Sequence, residues 1–140
     1  MKRLLLDLNI VLDVVLDRAE SASAARLWAA LERGKGRGYI PAHGVTTIFY
    51  LVSRAQGAAF ARRATDGILR TFAVAAVDEK VLKRALSLGW PDFEDAVCAS
   101  AAESCDCDAI VTRDPKGFVE SPVRVIDCPG ALAWLTGAAT

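Results

Sequence analysis

Two kinds of apolar segment alternate along the chain. Short, nearly continuous runs read as buried strands: residues 4–6, closed by Asp7, then 38–41, 71–77, 109–112 and 123–126. Between them lie longer stretches whose apolar residues recur at helical spacing. A short apolar segment covers residues 10–16. Ser21 or Ser23 offers an N-cap to a helix reaching Arg33, on which Ala25, Leu27, Trp28 and Leu31 share a face. Gly34, Gly36 and Gly38 break it. Residues 43–54 read as helix despite their β-branched residues, because Val45, Ile48, Phe49 and Val52 line one side. A further helix follows Gly57 and runs to Arg70. Asp78 or Glu79 opens the next, which ends near Leu88 and Gly89. Pro91-Asp92 opens one running to Cys105, and Pro129 or Gly130 opens the last, to Leu135.

Apolar strands alternating with helices predict an α/β fold around a mainly parallel, five-stranded sheet. A length of 140 residues suits one domain spanning 1–140. With 53% hydrophobic residues the chain builds a core without disulfides or a structural metal, and disorder is excluded. No apolar run reaches the roughly 18 residues of a membrane helix. The opening Met1-Lys2-Arg3-Leu4-Leu5-Leu6 faintly imitates an export signal. Asp7 interrupts it after three leucines, so a cytoplasmic protein is expected.

Charge and cysteines narrow the function classes. Seventeen basic and seventeen acidic residues give zero formal net charge, which excludes holding nucleic acid by bulk charge. Two local basic clusters remain, Arg33, Lys35 and Arg37, and Arg54, Arg62, Arg63 and Arg70. Each reads as a solvated helix face, with nucleic-acid contact as the alternative. Among Cys98, Cys105, Cys107 and Cys128 the closest pair is C-x-C, and the only histidine, His43, is far away in sequence. That spacing does not suit zinc, and in the cytoplasm disulfides are not expected, so buried, inert thiols are expected. His43, near a helix start, reads as a hydrogen-bonded structural residue rather than a general base.

The acids carry the chemistry. Asp7 follows the first strand, Asp114 follows the fourth through Thr112-Arg113, and Asp92 and Asp95 open a helix with Glu94 between them. In a parallel sheet functional groups gather beyond the carboxyl ends of the strands. Carboxylates sharing one cleft repel one another, and a divalent cation relieves this. Mg²⁺ and Mn²⁺ prefer oxygen ligands and, so held, activate water and neutralise charge developing on a phosphate. Each acid also has a structural reading: Asp92 as N-cap, Asp7 and Asp114 as turn residues. Asp95 stands in an otherwise apolar helix and is the least easily explained that way. Asn9 suits a cap for the short helix after Asp7, or a partner that orients Asp7 or a water.

Taken in order, Asp7-Leu8-Asn9, Asp92-Phe93-Glu94-Asp95 and Thr112-Arg113-Asp114 together resemble the motifs of the PIN-domain family, and in particular of its VapC-like toxin ribonucleases. Leu4-Leu5-Leu6-Asp7-Leu8-Asn9-Ile10-Val11-Leu12-Asp13 resembles the opening D-x-N motif. Asp92-Phe93-Glu94-Asp95-Ala96 is similar to the central acidic motif. Ile110-Val111-Thr112-Arg113-Asp114, followed by Phe118, resembles the late strand-and-acid motif. The resemblance covers nearly the whole chain. It implies a three-layer α/β/α sandwich and a Mg²⁺ or Mn²⁺ site in which Asp7, Asp95 and Asp114 are the catalytic and metal-binding acids. Asp92, Asn9, Thr47 and Thr112 are then auxiliary. It implies endonucleolytic hydrolysis of RNA by a toxin, often homodimeric, that a cognate antitoxin restrains. Two positions depart from the family pattern. Thr47 stands where a glutamate is usual on the helix after the second strand, and Gly117 stands where a further acid is common. Thr47 motivates the alternative, a PIN-like module that binds RNA or a protein partner without cleaving. Residues 7–11 also resemble the D-x-D-x-T/V loop of haloacid-dehalogenase phosphatases, but Asn9 replaces the second acid that such an enzyme uses as its general acid.

Overall fold

A computed structural model describes residues 1–19 and 21–137. Five strands, β1 (Arg3–Leu6), β2 (Arg37–Pro41), β3 (Ala73–Ala75), β4 (Ala109–Val111) and β5 (Val125–Ile126), form one sheet in the order β3-β2-β1-β4-β5. Every pairing is parallel. Among the described residues, seven α-helices connect and flank them: α1 (Leu8–Val15), α2 (Ala22–Glu32), α3 (Ala42–Gln56), α4 (Ala58–Thr71), α5 (Glu79–Ser87), α6 (Phe93–Ser104) and α7 (Cys128–Thr136). This is the expected α/β sandwich with a parallel five-stranded sheet.

The pleat explains why the strands read as unbroken apolar runs. Leu4 and Leu6 join a core with residues of α1, α2, α3, α4 and α7, whereas Leu5 joins a second core with α5 and α6. Register keeps the faces matched: Leu5 pairs with Tyr39 on one side and Ile110 on the other, and all three belong to the second core. Both faces of the sheet are therefore covered, and an alternating polar face would have been buried at a cost. Leu5 is fully buried, and trimming it to alanine would cost about 2–5 kcal/mol.

From β1 the chain runs outward through β2 to β3, then crosses back to lay β4 on the other side of β1. The order reverses between β1 and β4. At such a switch point the two flanking connections diverge and open a crevice at the carboxyl ends of the strands. Asp7 and Asp114 both follow those two strands.

Several boundaries differ from the sequence reading. The third strand shrinks to Ala73–Ala75 because α4 continues through Thr71, whose hydroxyl bonds Gly67 O within the helix at 2.9 Å. The fifth strand is only Val125–Ile126. Ser21 takes the N-cap position of α2 without a side-chain bond. The last helix opens at Cys128, where Asp127 caps it by accepting from Gly130 N at 2.8 Å. Among the described residues no helix is long and apolar enough to cross a membrane.

Candidate active site

Asp7 leaves β1 and sits at the N-cap position of α1, yet its side chain does not cap that helix. Its Oδ2 instead accepts a 3.0 Å hydrogen bond from the Thr112 hydroxyl at the end of β4. Thr112 Oγ1 in turn accepts from Asp114 N at 3.2 Å, so one buried hydroxyl ties together the two strand-end acids. Asp7 is only 6% exposed. Burial pushes its carboxyl upward, the charge on Glu94 adds to that, and the bond from Thr112 offsets part of it.

The third element is the first turn of α6. Asp92 caps it, Oδ1 accepting from Asp95 N at 3.0 Å, as its capping reading expected. Side chains fan out by about 100° per residue along a helix, so Glu94 and Asp95 leave this turn in different directions. Glu94 Oε2 accepts from His43 Nε2 at 2.9 Å and from the Cys98 thiol at 2.8 Å. Burial opposes the charge on Glu94, but these two donors outweigh it and hold its carboxyl below the usual value.

One oxygen from each of Asp7, Glu94 and Asp95 lies within 4.8 Å of the others. Burial, followed by the charges of Asp92, Asp7, Glu94 and Asp114, pushes the Asp95 carboxyl up to about 7. Asp114 is exposed and stands outside that group, though on the same opening. A Cβ added at Gly117 would lie 3.2 Å from Asp95 Oδ2 and 3.9 Å from Asp114 Oδ2. The bare glycine leaves that space free between the two carboxylates. Among the described residues, none of Asp7, Asp95 and Asp114 is in a salt bridge. The Asp7 and Asp95 oxygens, both pushed up by burial and neighbouring charge and without a salt-bridge partner among the described residues, are hard donors that fit Mg²⁺ or Mn²⁺.

Other expectations fare differently. Asn9 lies within α1 rather than at its N-cap, and no hydrogen bond joins its side chain to Asp7 among the described residues. The Thr47 hydroxyl turns back to His43 O of its own helix, at 3.3 Å, and brings no charge. His43 is hydrogen-bonded, as its structural reading holds, and its partner is one of the clustered acids. Cys105 departs from the expected buried thiol: it is half-buried, with its sulfur 3.3 Å from that of Cys107.

Sequence reasoning missed Glu94 as a member of the cluster. The signals available were its i, i+4 spacing to Cys98, which places both on one face of α6, and the single histidine at the start of α3. It also missed Asp13, 1% exposed, which sits 3.3 Å from Arg18 Nη1 and 3.4 Å from Arg113 Nε. Asp13 thereby anchors the residue between Thr112 and Asp114.

The PIN domain family model matches residues 3–116. No curated protein matches the chain in sequence. Among solved structures, VapBC2 from Rickettsia felis bound to a promoter DNA fragment is similar at TM-score 0.71 and 16% identity, covering 89% of this chain and 98% of that one. The sarcin-ricin loop-cleaving toxin VapC20 from Mycobacterium tuberculosis is similar at TM-score 0.66 and 17% identity, covering 81% and 92%. A toxin–antitoxin complex from Klebsiella pneumoniae is similar at TM-score 0.67 and 20% identity, covering 89% and 96%.

Proposed function

This chain belongs to the PIN-domain family, and on that premise we propose that it is a Mg²⁺- or Mn²⁺-dependent endoribonuclease, the toxin of a toxin–antitoxin pair. The observation that carries this reading is the convergence of acids from three distant segments at the β1/β4 switch point, with Asp7, Glu94 and Asp95 oxygens within 4.8 Å of one another. In this reading Asp7, Asp95 and Asp114 hold the ion. A bound divalent ion supplies an activated water and neutralises charge developing on the scissile phosphate. Thr112 fixes Asp7 and the backbone of Asp114, and Asp92 fixes the turn that presents Asp95. Asn9, in the first turn after Asp7, is the remaining support.

A cytoplasmic protein, an RNA substrate, an antitoxin partner and a homodimer belong to the same proposal. The antitoxin is supported by the similarity to toxin–antitoxin complexes, and the RNA by the similarity to a toxin that cleaves the sarcin-ricin loop. The test is incubation of the purified chain with single-stranded and structured RNA. Cleavage that EDTA abolishes and Mn²⁺ restores is expected; intact RNA under every metal condition contradicts the proposal.

A second reading, a PIN-like module that binds RNA or a protein without cleaving, rests on Thr47, whose hydroxyl is spent within α3. Tight Mn²⁺ binding that depends on the acids counts against it.

A further inference from the structure

We propose that Glu94 supplies a fourth carboxylate to the metal site, entering from α6 in place of the charge that α3 lacks at Thr47. This rests on the metal-dependent reading above and names a ligand that reading does not contain.

His43 and Thr47 are one helical turn apart and share a face of α3. His43 Nε2 donates to Glu94 Oε2 at 2.9 Å, so the end of that face meets the Glu94 side chain directly. The Glu94 carboxylate thus meets the start of α3, one helical turn before Thr47 on the same face. It also reaches inward, since one of its oxygens lies within 4.8 Å of an oxygen of both Asp7 and Asp95. Both donors to Glu94, His43 and the Cys98 thiol, bond the same oxygen, Oε2. Oε1 accepts no hydrogen bond from the described residues. Two donors fix the carboxylate and leave one oxygen for a further partner. Orientation of a ligating carboxylate by hydrogen bonds from behind is the usual arrangement at metal sites.

A purely structural bridge between α6 and α3 is the competing account, and an exchange of acids separates the two. Glu94→Gln keeps an amide oxygen for His43 while removing the charge. Mn²⁺ binding by the full chain is measured by calorimetry for the wild type and for Glu94→Gln, Asp7→Asn and the double variant Glu94→Gln/Thr47→Glu. Circular dichroism confirms that each is folded. Glu94→Gln is expected to weaken Mn²⁺ binding at least about tenfold, and Thr47→Glu in that background is expected to recover most of the loss. Glu94→Asp, which keeps the charge but withdraws it by one methylene, serves if the glutamine variant fails to fold, and weaker binding is expected there as well.

Wild-type affinity in Glu94→Gln, alongside a loss in Asp7→Asn, overturns the role of Glu94 and leaves the metal site standing. A loss in Glu94→Gln that Thr47→Glu leaves unrepaired contradicts the exchange of one helix for the other. No Mn²⁺ binding by the wild type removes the metal reading itself, and this proposal with it.

Discussion

The Thr112 hydroxyl reaches Asp7 Oδ2 at 3.0 Å across 105 positions of sequence, joining the ends of the two central strands. The pairing of β1 with β4 makes this bond local in space, with Leu6 opposite Val111 one residue earlier on each strand. Thr112 is 1% exposed, so its hydroxyl is fully committed to the two acids.

Thr112→Val keeps the shape and removes both bonds. Asp7 then loses the one side-chain donor it has among the described residues, and the Asp114 N–H loses the Thr112 acceptor. A stability loss of about 1–2 kcal/mol in urea denaturation is expected, together with slower RNA cleavage. A variant as stable as the wild type would show that these bonds do not hold the two strand ends.

Asp92→Ala removes the cap of α6, whose Oδ1 bonds Asp95 N at 3.0 Å. A stability loss of about 1 kcal/mol is expected. Asp92 is also the foremost charge raising the Asp95 carboxyl, so the apparent pKa of Asp95 falls in the variant. Carbon-detected NMR titration of the aspartate side chains reads that shift, and an unchanged Asp95 midpoint contradicts the assignment.

Metal-free protein becomes less stable as pH rises from about 4 to about 7. The folded Asp95 carboxyl keeps its proton up to about 7, whereas the unfolded one releases it near 3.8. Between those values the folded chain binds more protons, so stability falls with rising pH and the loss is complete above about 7. Asp7, also raised, acts in the same direction. Glu94 is held below its usual 4.5, and its contribution is lost only as pH falls below that value. Thermal melting in EDTA is expected to show this slope, and Asp95→Asn to flatten it. Mn²⁺ reverses it, because the ion binds the ionised carboxylates. An EDTA melting curve that rises across this interval would contradict the crowding of Asp95.

Gly117→Val is expected to weaken Mn²⁺ binding severalfold with little change in melting temperature. The new Cβ would stand 3.2 Å from Asp95 Oδ2, forcing that carboxylate to shift. The backbone there is not in the left-handed region, so the cost falls on the site rather than on the fold. Unaltered calorimetric affinity would show that the space beside Gly117 is not part of the ion's surroundings.

The sheet and the strand-end acids were legible because the strands are covered on both faces and each acid interrupts or closes an apolar run. Leu4, Leu5 and Leu6 announce a buried strand, and Asp7 announces its end. Capping by Asp92 was legible for the same local reason, and of the two openings offered for α5, Asp78 or Glu79, it is Asp78 that caps. The place of Glu94 was not legible, because it depends on how α3 and α6 meet across the edge of the sheet, which no periodicity within either helix encodes. Asp13 stayed hidden for a similar reason: Arg18 lies five residues along the same segment, but Arg113 is remote in sequence and reaches Asp13 only in the folded chain. The third strand was drawn too long because residues 71–77 carry a strand-like composition, yet Thr71 closes α4 and the segment beyond Ala75 leaves the sheet.

Mn²⁺-dependent cleavage of RNA by the wild type, by Asp7→Asn and by Asp95→Asn, each shown to be folded, bears most directly on the convergence of these acids around one ion. Cleavage by the wild type and a fall of at least about 100-fold in each variant are expected. Undiminished cleavage in both folded variants would mean that the bond is broken elsewhere on the molecule.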